Sequence, residues 1–294
     1  MLSSEELDDF FKQEELTLIV DISNLAYRAL YAIIYSSPTD NGKFELWKHT
    51  FLNSIFYVIK KFNPTRVIFA EDGSKNWRYD VYPQYKWERK IKKEKSDIRW
   101  DKFYEVLNEL LEDIKIVFTN IISLKVDRSE ADDVISVMSR EIKYKIIIVS
   151  GDNDFNQLLS QRVRQYKPIT ETFVECINTQ KALQLKLLVG DKGDSIPNLR
   201  PRLGIKTAAS ILESGLEAFL DSNTVLRENY ERNKKLIDLT CIPSEICDGI
   251  INKFDEYQIS PIDMNLLLKF FNKHRLQKIL ASWNVLGESI KKLR

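Results

Sequence analysis

The stretch KIIIVSGDNDFNQLL, Lys145 to Leu159, decides how this chain folds. Ile146-Ile147-Ile148-Val149 is an unbroken β-branched run, the pattern of a strand buried on both faces of a parallel sheet. The run breaks at Ser150-Gly151, and a helix is expected from Asn153 to Leu159. Asp152 and Asp154 then stand at the carboxyl end of a central strand, where open α/β sheets carry their ligand sites. Two carboxylates that close repel each other unless a cation lies between them. A helix cap accounts for one of these acids, not for both.

Working outward, the same pattern returns twice on the N-terminal side. Leu16–Val20 reads as a buried strand ending in Asp21, and Ser23-Asn24 starts a helix to about Tyr35. Trp47–Phe62 is apolar at helical spacing and stops before Pro64; Arg66–Ala70 is a third strand, ending in Glu71-Asp72-Gly73. Three strands ending in acids imply an acidic cleft on a mostly parallel α/β sheet flanked by helices. Further along, Lys115–Phe118 reads as a short strand, and Ser129 is expected to cap a helix over Val134–Ile142. Glu130 and Asp133 share one face of that helix, and Asp132 can reach the sheet edge. Strands are expected at Val163–Tyr166 and Glu171–Cys176 and a helix at Thr179–Leu188. Gly190-Asp191-Lys192-Gly193-Asp194 adds another acid pair. Beyond it the chain reads as helical throughout. The expected division is a tail (1–15), a core (16–188) and a helical C-terminal domain (189–294).

Composition narrows the chemistry. With 44 Lys+Arg against 43 Asp+Glu, any case for nucleic-acid binding must be local. Three cysteines without paired zinc spacing indicate free thiols in a reducing cytoplasm. There is no apolar run long enough to span a membrane. Two histidines, His49 and His274, without an HExxH pattern disfavour histidine-centred zinc or triad chemistry and leave oxygen-ligand metals open. Residues 1–15 mix six acids with Leu7, Phe10 and Phe11, either an acidic tail or a short docking peptide.

A local basic excess does exist. Lys75–Lys102 holds ten basic residues, among them Arg78, Lys86 and Arg89, against five acids, interleaved with Trp77, Tyr79, Tyr82, Tyr85, Trp87 and Trp100. Cations along a backbone track with flat rings beside them suit unpaired nucleic acid. So few aliphatics also predict a segment that orders only on binding. Farther on, Gly204-Ile205-Lys206-Thr207 opens a helix whose amide end, with Arg200, Arg202 and Lys206 around it, could grip a phosphate.

The pooled acids are Asp21, Asp72, Glu130, Asp132, Asp133, Asp152, Asp154, Asp191 and Asp194. At an effective dielectric of ~20, like charges ~4 Å apart cost ~4 kcal/mol per pair, so this set needs cations. Oxygen donors alone select Mg²⁺ or Mn²⁺. Two such ions would support in-line phosphodiester hydrolysis. There is no GxxxxGK[ST] loop, and Ser23 stands where an aspartyl-phosphate phosphatase wants a second Asp.

The ordered set Val20-Asp21, Glu71-Asp72-Gly73, Tyr85-Lys86-x-x-Arg89, Glu130-Ala131-Asp132-Asp133, Ser150-Gly151-Asp152-Asn153-Asp154-Phe155, Gly190-Asp191-Lys192-Gly193-Asp194 and Gly204-Ile205-Lys206-Thr207 resembles the flap endonuclease/5′-nuclease superfamily. Within it, the likeness is to the branch of T-even-type bacteriophage ribonucleases H, and spans nearly the whole chain. The resemblance implies a PIN-like core, a helical arch over 75–102, and a C-terminal helix–three-turn–helix that binds duplex DNA. It implies 5′→3′ exonuclease and flap cleavage of DNA and of RNA paired to DNA, removing lagging-strand primers. One metal site would use Asp21, Asp72, Asp132 and Asp152, with Asp132 and Asp152 counted as catalytic. A second would use Asp154, Asp191 and Asp194, with Glu130 and Asp133 reaching the ions directly or through water. Arg78, Tyr85, Lys86, Arg89, Arg200, Arg202, Lys206 and Thr207 would contact nucleic acid, Lys86 and Arg89 at the scissile phosphate. The implied partners are flap DNA, RNA–DNA duplex, a sliding clamp and a single-stranded-DNA-binding protein, met by a monomer. The glycines that shape a monovalent-ion site in relatives are largely missing around Asn198–Arg202. A non-catalytic junction binder of this fold and a PIN-type ribonuclease are the competing readings.

Overall fold

A computed structural model describes residues 10, 15–34, 40–175 and 178–294. Strand β1 (Leu16–Asp21) leads into helix α1 (Ile22–Ile33) and the long α2 (Asp40–Phe62); β2 (Arg66–Glu71) follows. Next come a short α3 (Arg78–Val81), α4 (Trp87–Glu94), α5 (Trp100–Val117), β3 (Ile122–Lys125), α6 (Ala131–Glu141) and β4 (Lys145–Val149). A 3₁₀ turn (Asn153–Leu158), β5 (Val163–Lys167) and β6 (Thr172–Phe173) complete the sheet. The helices after it are α7 (Thr179–Val189), α8 (Ile205–Ser214), α9 (Leu216–Asp221), α10 (Thr224–Ile237), α11 (Ser244–Asp255), α12 (Met264–Lys273), α13 (Gln277–Ala281) and α14 (Trp283–Lys291).

The six strands lie in the order β3-β2-β1-β4-β5-β6, parallel from β3 to β5, with β6 antiparallel at the edge. The chain steps from β1 outward one way and then returns to build on β4. The crevice between β1 and β4 is therefore the switch point, where such sheets bind ligands. Asp21 pairs with Ala70 in register and Val20 with Val149, so Asp21, Asp72 and Asp152 all leave the sheet at one edge.

Both faces are covered, as the continuous apolar runs require. Leu18, Val20, Val67, Phe69, Ile147 and Val149 point to a face packed by α1, α2 and α5, and Leu267, Phe270, Phe271, Trp283 and Ile290 from α12 and α14 extend that core on the outer side of α5 and α2. Ile19, Ile68, Ala70, Ile146 and Ile148 point to the other, under α6 and α11. Packing thus runs across the division expected at residue 188. A smaller cluster (Leu188, Leu203, Ala208, Ile211, Leu220, Leu226) holds α7 to α10 together.

Some elements differ from expectation. Residues 115–117 end α5, and residue 118 is its C-terminal cap; the strand is Ile122–Lys125. Leu107, Leu110, Leu111, Ile114 and Val117 carry the helical repeat onward, and a three-residue apolar run does not reveal its period by itself. Helix α6 starts three residues before Val134 and is capped by Glu130 and Asp133 reciprocally, while Ser129 Oγ donates to the Val126 carbonyl. The helix expected over Arg275–Trp283 breaks at Ser282. Cys176 lies outside the described residues; Cys241 and Cys247 are free. Among the described residues no helix is long and apolar enough to cross a membrane.

Candidate active site

Each strand-end acid is fixed by an amide at the start of a helix or turn. Asp21 caps α1, accepting from the Asn24 amide at 3.0 Å, and its other oxygen takes a hydrogen bond from Ser150 Oγ at 2.8 Å. Asp152 caps the 3₁₀ turn through the Asp154 amide at 2.9 Å. Asp72 accepts from the Ala131 amide at 2.9 Å, the first residue of α6, and from Ser23 Oγ at 2.6 Å. Amide ends suit anions, so three helical starts make this sheet edge a place for carboxylates. Glycine makes two of these approaches feasible. At Gly73 a Cβ would lie 1.9 Å from the Val126 carbonyl oxygen. Gly190 has φ +69, a conformation that side chains resist, as it turns the chain from α7 into Asp191.

The second group joins Asp154, in the 3₁₀ turn after β4, to two acids of the loop that follows α7. Oxygens of Asp154, Asp191 and Asp194 lie within 4.8 Å of one another. The 190–195 loop closes on itself through an Asp191–Ile196 bridge, and Asp191 Oδ1 accepts from the Gly193 amide at 2.7 Å. A cleft of about 440 Å³ opens between Asp152, Asp154, Gln157, Leu183, Lys186 and Asp191.

This crowding shows in the acid strengths. Burial, with the charges of Asp72 and Asp152 added, pushes Asp21 up to about 7, against its hydrogen bonds from Asn24 and Ser150. Burial and the neighbouring acids also raise Asp132 well above the carboxylate range, and burial raises Asp154 and Asp194. Carboxyls that resist ionising together, with oxygen donors only, are the donor set of a hard divalent cation. The residues present fit such ions.

Basic residues stand among the acids. Lys86 pairs with Glu130, and Arg89 Nη2 lies 2.5 Å from Asp194 Oδ1 while its Nε donates to the Gly193 carbonyl. Although burial opposes it, pairing with Lys86 and Arg78 holds Glu130 down to about 2. Lys186 from α7 pairs with Asp154 and lies 2.7 Å from Asp191 Oδ2. The Lys86 amide donates to the Asp194 carbonyl and the Glu88 amide to Ser195 Oγ, so α4 is docked on the loop that carries the second acid group.

Several expected roles are corrected by these positions. Asp133 is fully buried; its two oxygens bind Arg78 Nη2 at 2.7 Å and Nη1 at 3.0 Å, with Trp77 Nε1 at 3.1 Å. That is a structural ion pair, which leaves neither Asp133 for a metal nor Arg78 for nucleic acid. Tyr85 is buried and donates to Glu130 at 2.9 Å and to Asp194 at 3.2 Å, so it orders the acids and presents no ring to a base. Trp77 is buried too, and Trp100 packs edge-on against Tyr27 and Phe103. Tyr79 and Trp87, 44% and 53% exposed, are the large rings of the 75–102 segment open to solvent. Two of the segment's six rings, Trp77 and Tyr85, are thus core residues, and Trp100 packs against the core. Lys93 adds a clasp, its ammonium 4.9, 5.0 and 5.1 Å from the ring centres of Tyr27, Trp100 and Tyr104. Phe10 is also buried, under Lys145 and Arg164, and so is not a free docking anchor; Leu7 and Phe11 lie outside the described residues.

Arg200, Arg202, Lys206 and Thr207 are exposed around the start of α8, where Gly204 is the N-cap without a side-chain bond. Ser23, Ser150 and Lys186 escaped the sequence reading. A serine two residues after Asp21 and another two before Asp152 carry no signal by themselves, and Lys186 lies within an ordinary helical repeat.

Residues 16–186 match the family described as 5′-3′ exonuclease, N-terminal resolvase-like domain, and residues 179–286 match T4 RNase H, C terminal. Ribonuclease H of Enterobacteria phage T4 is 27% identical over 95% of this chain and 97% of its own length. A 5′-3′ exonuclease of Aquifex aeolicus is 29% identical over 74% of this chain and 76% of its own. Among solved structures, the bacteriophage T5 flap endonuclease in a complex with DNA and metal ions superposes with a TM-score of 0.62 at 19% identity, covering 89% of this chain and 98% of that one.

Proposed function

This chain belongs to the 5′-3′ exonuclease family, and on that premise we propose that it is a structure-specific 5′ nuclease using Mg²⁺, with Mn²⁺ able to substitute. It hydrolyses phosphodiesters of DNA and of RNA paired to DNA, from 5′ ends and at flaps, as in removing lagging-strand primers. The observation that carries the reading is the meeting of two acid groups beneath α4, one at the sheet's switch point and one made by Asp154 with the 190–195 loop.

Asp21, Asp72, Asp132 and Asp152 would hold one ion, and Asp154, Asp191 and Asp194 the second, with Glu130 bearing on them through water. Bound there, divalent cations acidify the attacking water and offset charge growing on the scissile phosphate. The chain's own groups do the rest. Lys86 and Arg89 stand over the acids, where a backbone phosphate arriving at the cleft would exchange their carboxylate partners for its own oxygens. Arg200, Arg202, Lys206 and Thr207 would take phosphates of the downstream duplex at the start of α8, in a helix–three-turn–helix. A sliding clamp and a single-stranded-DNA-binding protein are the partners such a nuclease meets during replication.

The test is purified protein with a 5′-flap DNA and with a nicked RNA–DNA duplex, with and without Mg²⁺. Products released from the 5′ side only with the metal support the reading. Binding without cleavage in both Mg²⁺ and Mn²⁺ would instead make the protein a junction binder that kept the fold.

A further inference from the structure

Lys186 differs from the other basic residues at the acidic centre. Arg89 also holds a backbone carbonyl, and the Lys86 backbone is tied down by the 190–195 loop. The Lys186 ammonium contacts Asp154 and Asp191, and no carbonyl or hydroxyl among the described residues. These are two of the three acids whose oxygens converge within 4.8 Å. The side chain is 25% exposed and lines the cleft of about 440 Å³, so it has space to swing aside. Without it, Asp154 and Asp191 would face each other as like charges at short range.

We propose that Lys186 is a built-in counter-cation that competes with a divalent ion for Asp154 and Asp191, keeping the acid cage assembled when no ion is there and setting the ion's affinity. The inference rests on the divalent-metal reading above. An entering ion must displace the ammonium from both carboxylates, and the ion-pair energy lost in that exchange is subtracted from the binding energy. Lys186 is thereby a positioning residue whose effect is felt on binding before any chemistry.

The test needs no nucleic acid. Mn²⁺ binding to wild type, Lys186→Met and Lys186→Arg is measured by calorimetry and electron paramagnetic resonance at fixed pH and ionic strength. Lys186→Met should bind the second Mn²⁺ about tenfold or more tighter, because one opposing charge is gone. Its metal-free Tm should fall and be restored by Mn²⁺, while Lys186→Arg should stay close to wild type. In wild type, Mn²⁺ should increase labelling of Lys186 by an amine-reactive reagent, read by peptide mass spectrometry, which decides the matter even if Lys186→Met does not fold. Equal or weaker Mn²⁺ binding by Lys186→Met, or labelling that Mn²⁺ leaves unchanged, would overturn the counter-cation. A wild type that binds no Mn²⁺ would overturn the metal centre itself and the inference with it.

Discussion

Replacing Arg78 by Met should unfold this protein far more readily while leaving its contacts with nucleic acid intact. The guanidinium is 2% exposed and the Asp133 carboxylate fully buried, bound to each other by two bonds of 2.7 and 3.0 Å. Arg78 also donates to Glu130 at 3.3 Å and, through Nε, to the Leu236 carbonyl at 3.1 Å, joining α6 to the end of α10. Truncating one partner of a buried pair strands the other charge, at a cost of about 3–5 kcal/mol. That is a fifth or more of a typical total stability of about 5–15 kcal/mol. With a urea m value of about 2–3 kcal/mol per M, the midpoint should drop by about 1–2.5 M. Arg78→Met combined with Asp133→Leu should recover most of the loss, since no charge is then left unpaired. The assay is equilibrium urea unfolding of wild type, both single variants and the double. An unchanged midpoint for Arg78→Met, together with weaker DNA affinity and a shallower salt slope, would refute the argument and return Arg78 to the phosphates.

Other perturbations separate the remaining roles. Asp152→Asn with Asp154→Asn should abolish cleavage of a 5′-flap while binding stays equal or tightens, as gel shift and single-turnover assays would show. Arg200→Ala, Arg202→Ala and Lys206→Ala together should lower the slope of log affinity against log salt by ~1 per lost contact; an unchanged slope leaves that loop a structural turn. Lys93→Gln should remove about 0.5–2 kcal/mol from the aromatic clasp, and amide hydrogen exchange over 87–94 should speed up roughly tenfold. His274, buried between Asp113 at 2.7 Å and Lys48 at 3.2 Å, with Lys273 and Glu109 close by, has its pKa lowered from 6.5, chiefly by burial, with Asp113 opposing. The unfolded chain takes up that proton first, so stability should fall as pH drops below 6.5, by at most about 1.4 kcal/mol per pH unit. His274→Gln should flatten that slope in urea titrations between pH 7.5 and 5.5; an equal slope in both proteins would assign the loss to other groups.

What could be read from residues alone was set by how local the signal is. Ile146–Val149 declares a buried parallel strand because every position in it is β-branched, and β4 forms there. Acids at strand ends are legible since a parallel sheet brings those ends to one edge, and Asp21, Asp72 and Asp152 do meet there. Partnership across the chain was not legible. Nothing in the run from Lys75 to Lys102 says that Arg78 answers Asp133, 55 residues away, or that Tyr85 serves Asp194, 109 away. Composition therefore assigned to nucleic acid two residues that the fold buries. The same holds for Lys186 and Ser23, whose purpose is visible only beside the acid each one touches.

Helices α12 and α14 close the outer side of the core on one face of the sheet, over α5 and α2, though they follow the last strand by about a hundred residues of chain. At a synthesis rate of about 5–20 residues per second, the outer side of α5 and α2 stays bare for several seconds after β5 has emerged. During that interval Phe56 and Phe118, which Trp283 and Phe270 cover in the finished fold, present an apolar surface with no intramolecular cover, and a folding reaction that depends on so distant a lid is slow. A ribosome pausing before residue 264 would lengthen the exposure, so the order in which this sequence is written makes the newborn chain a client for chaperones before it is a nuclease.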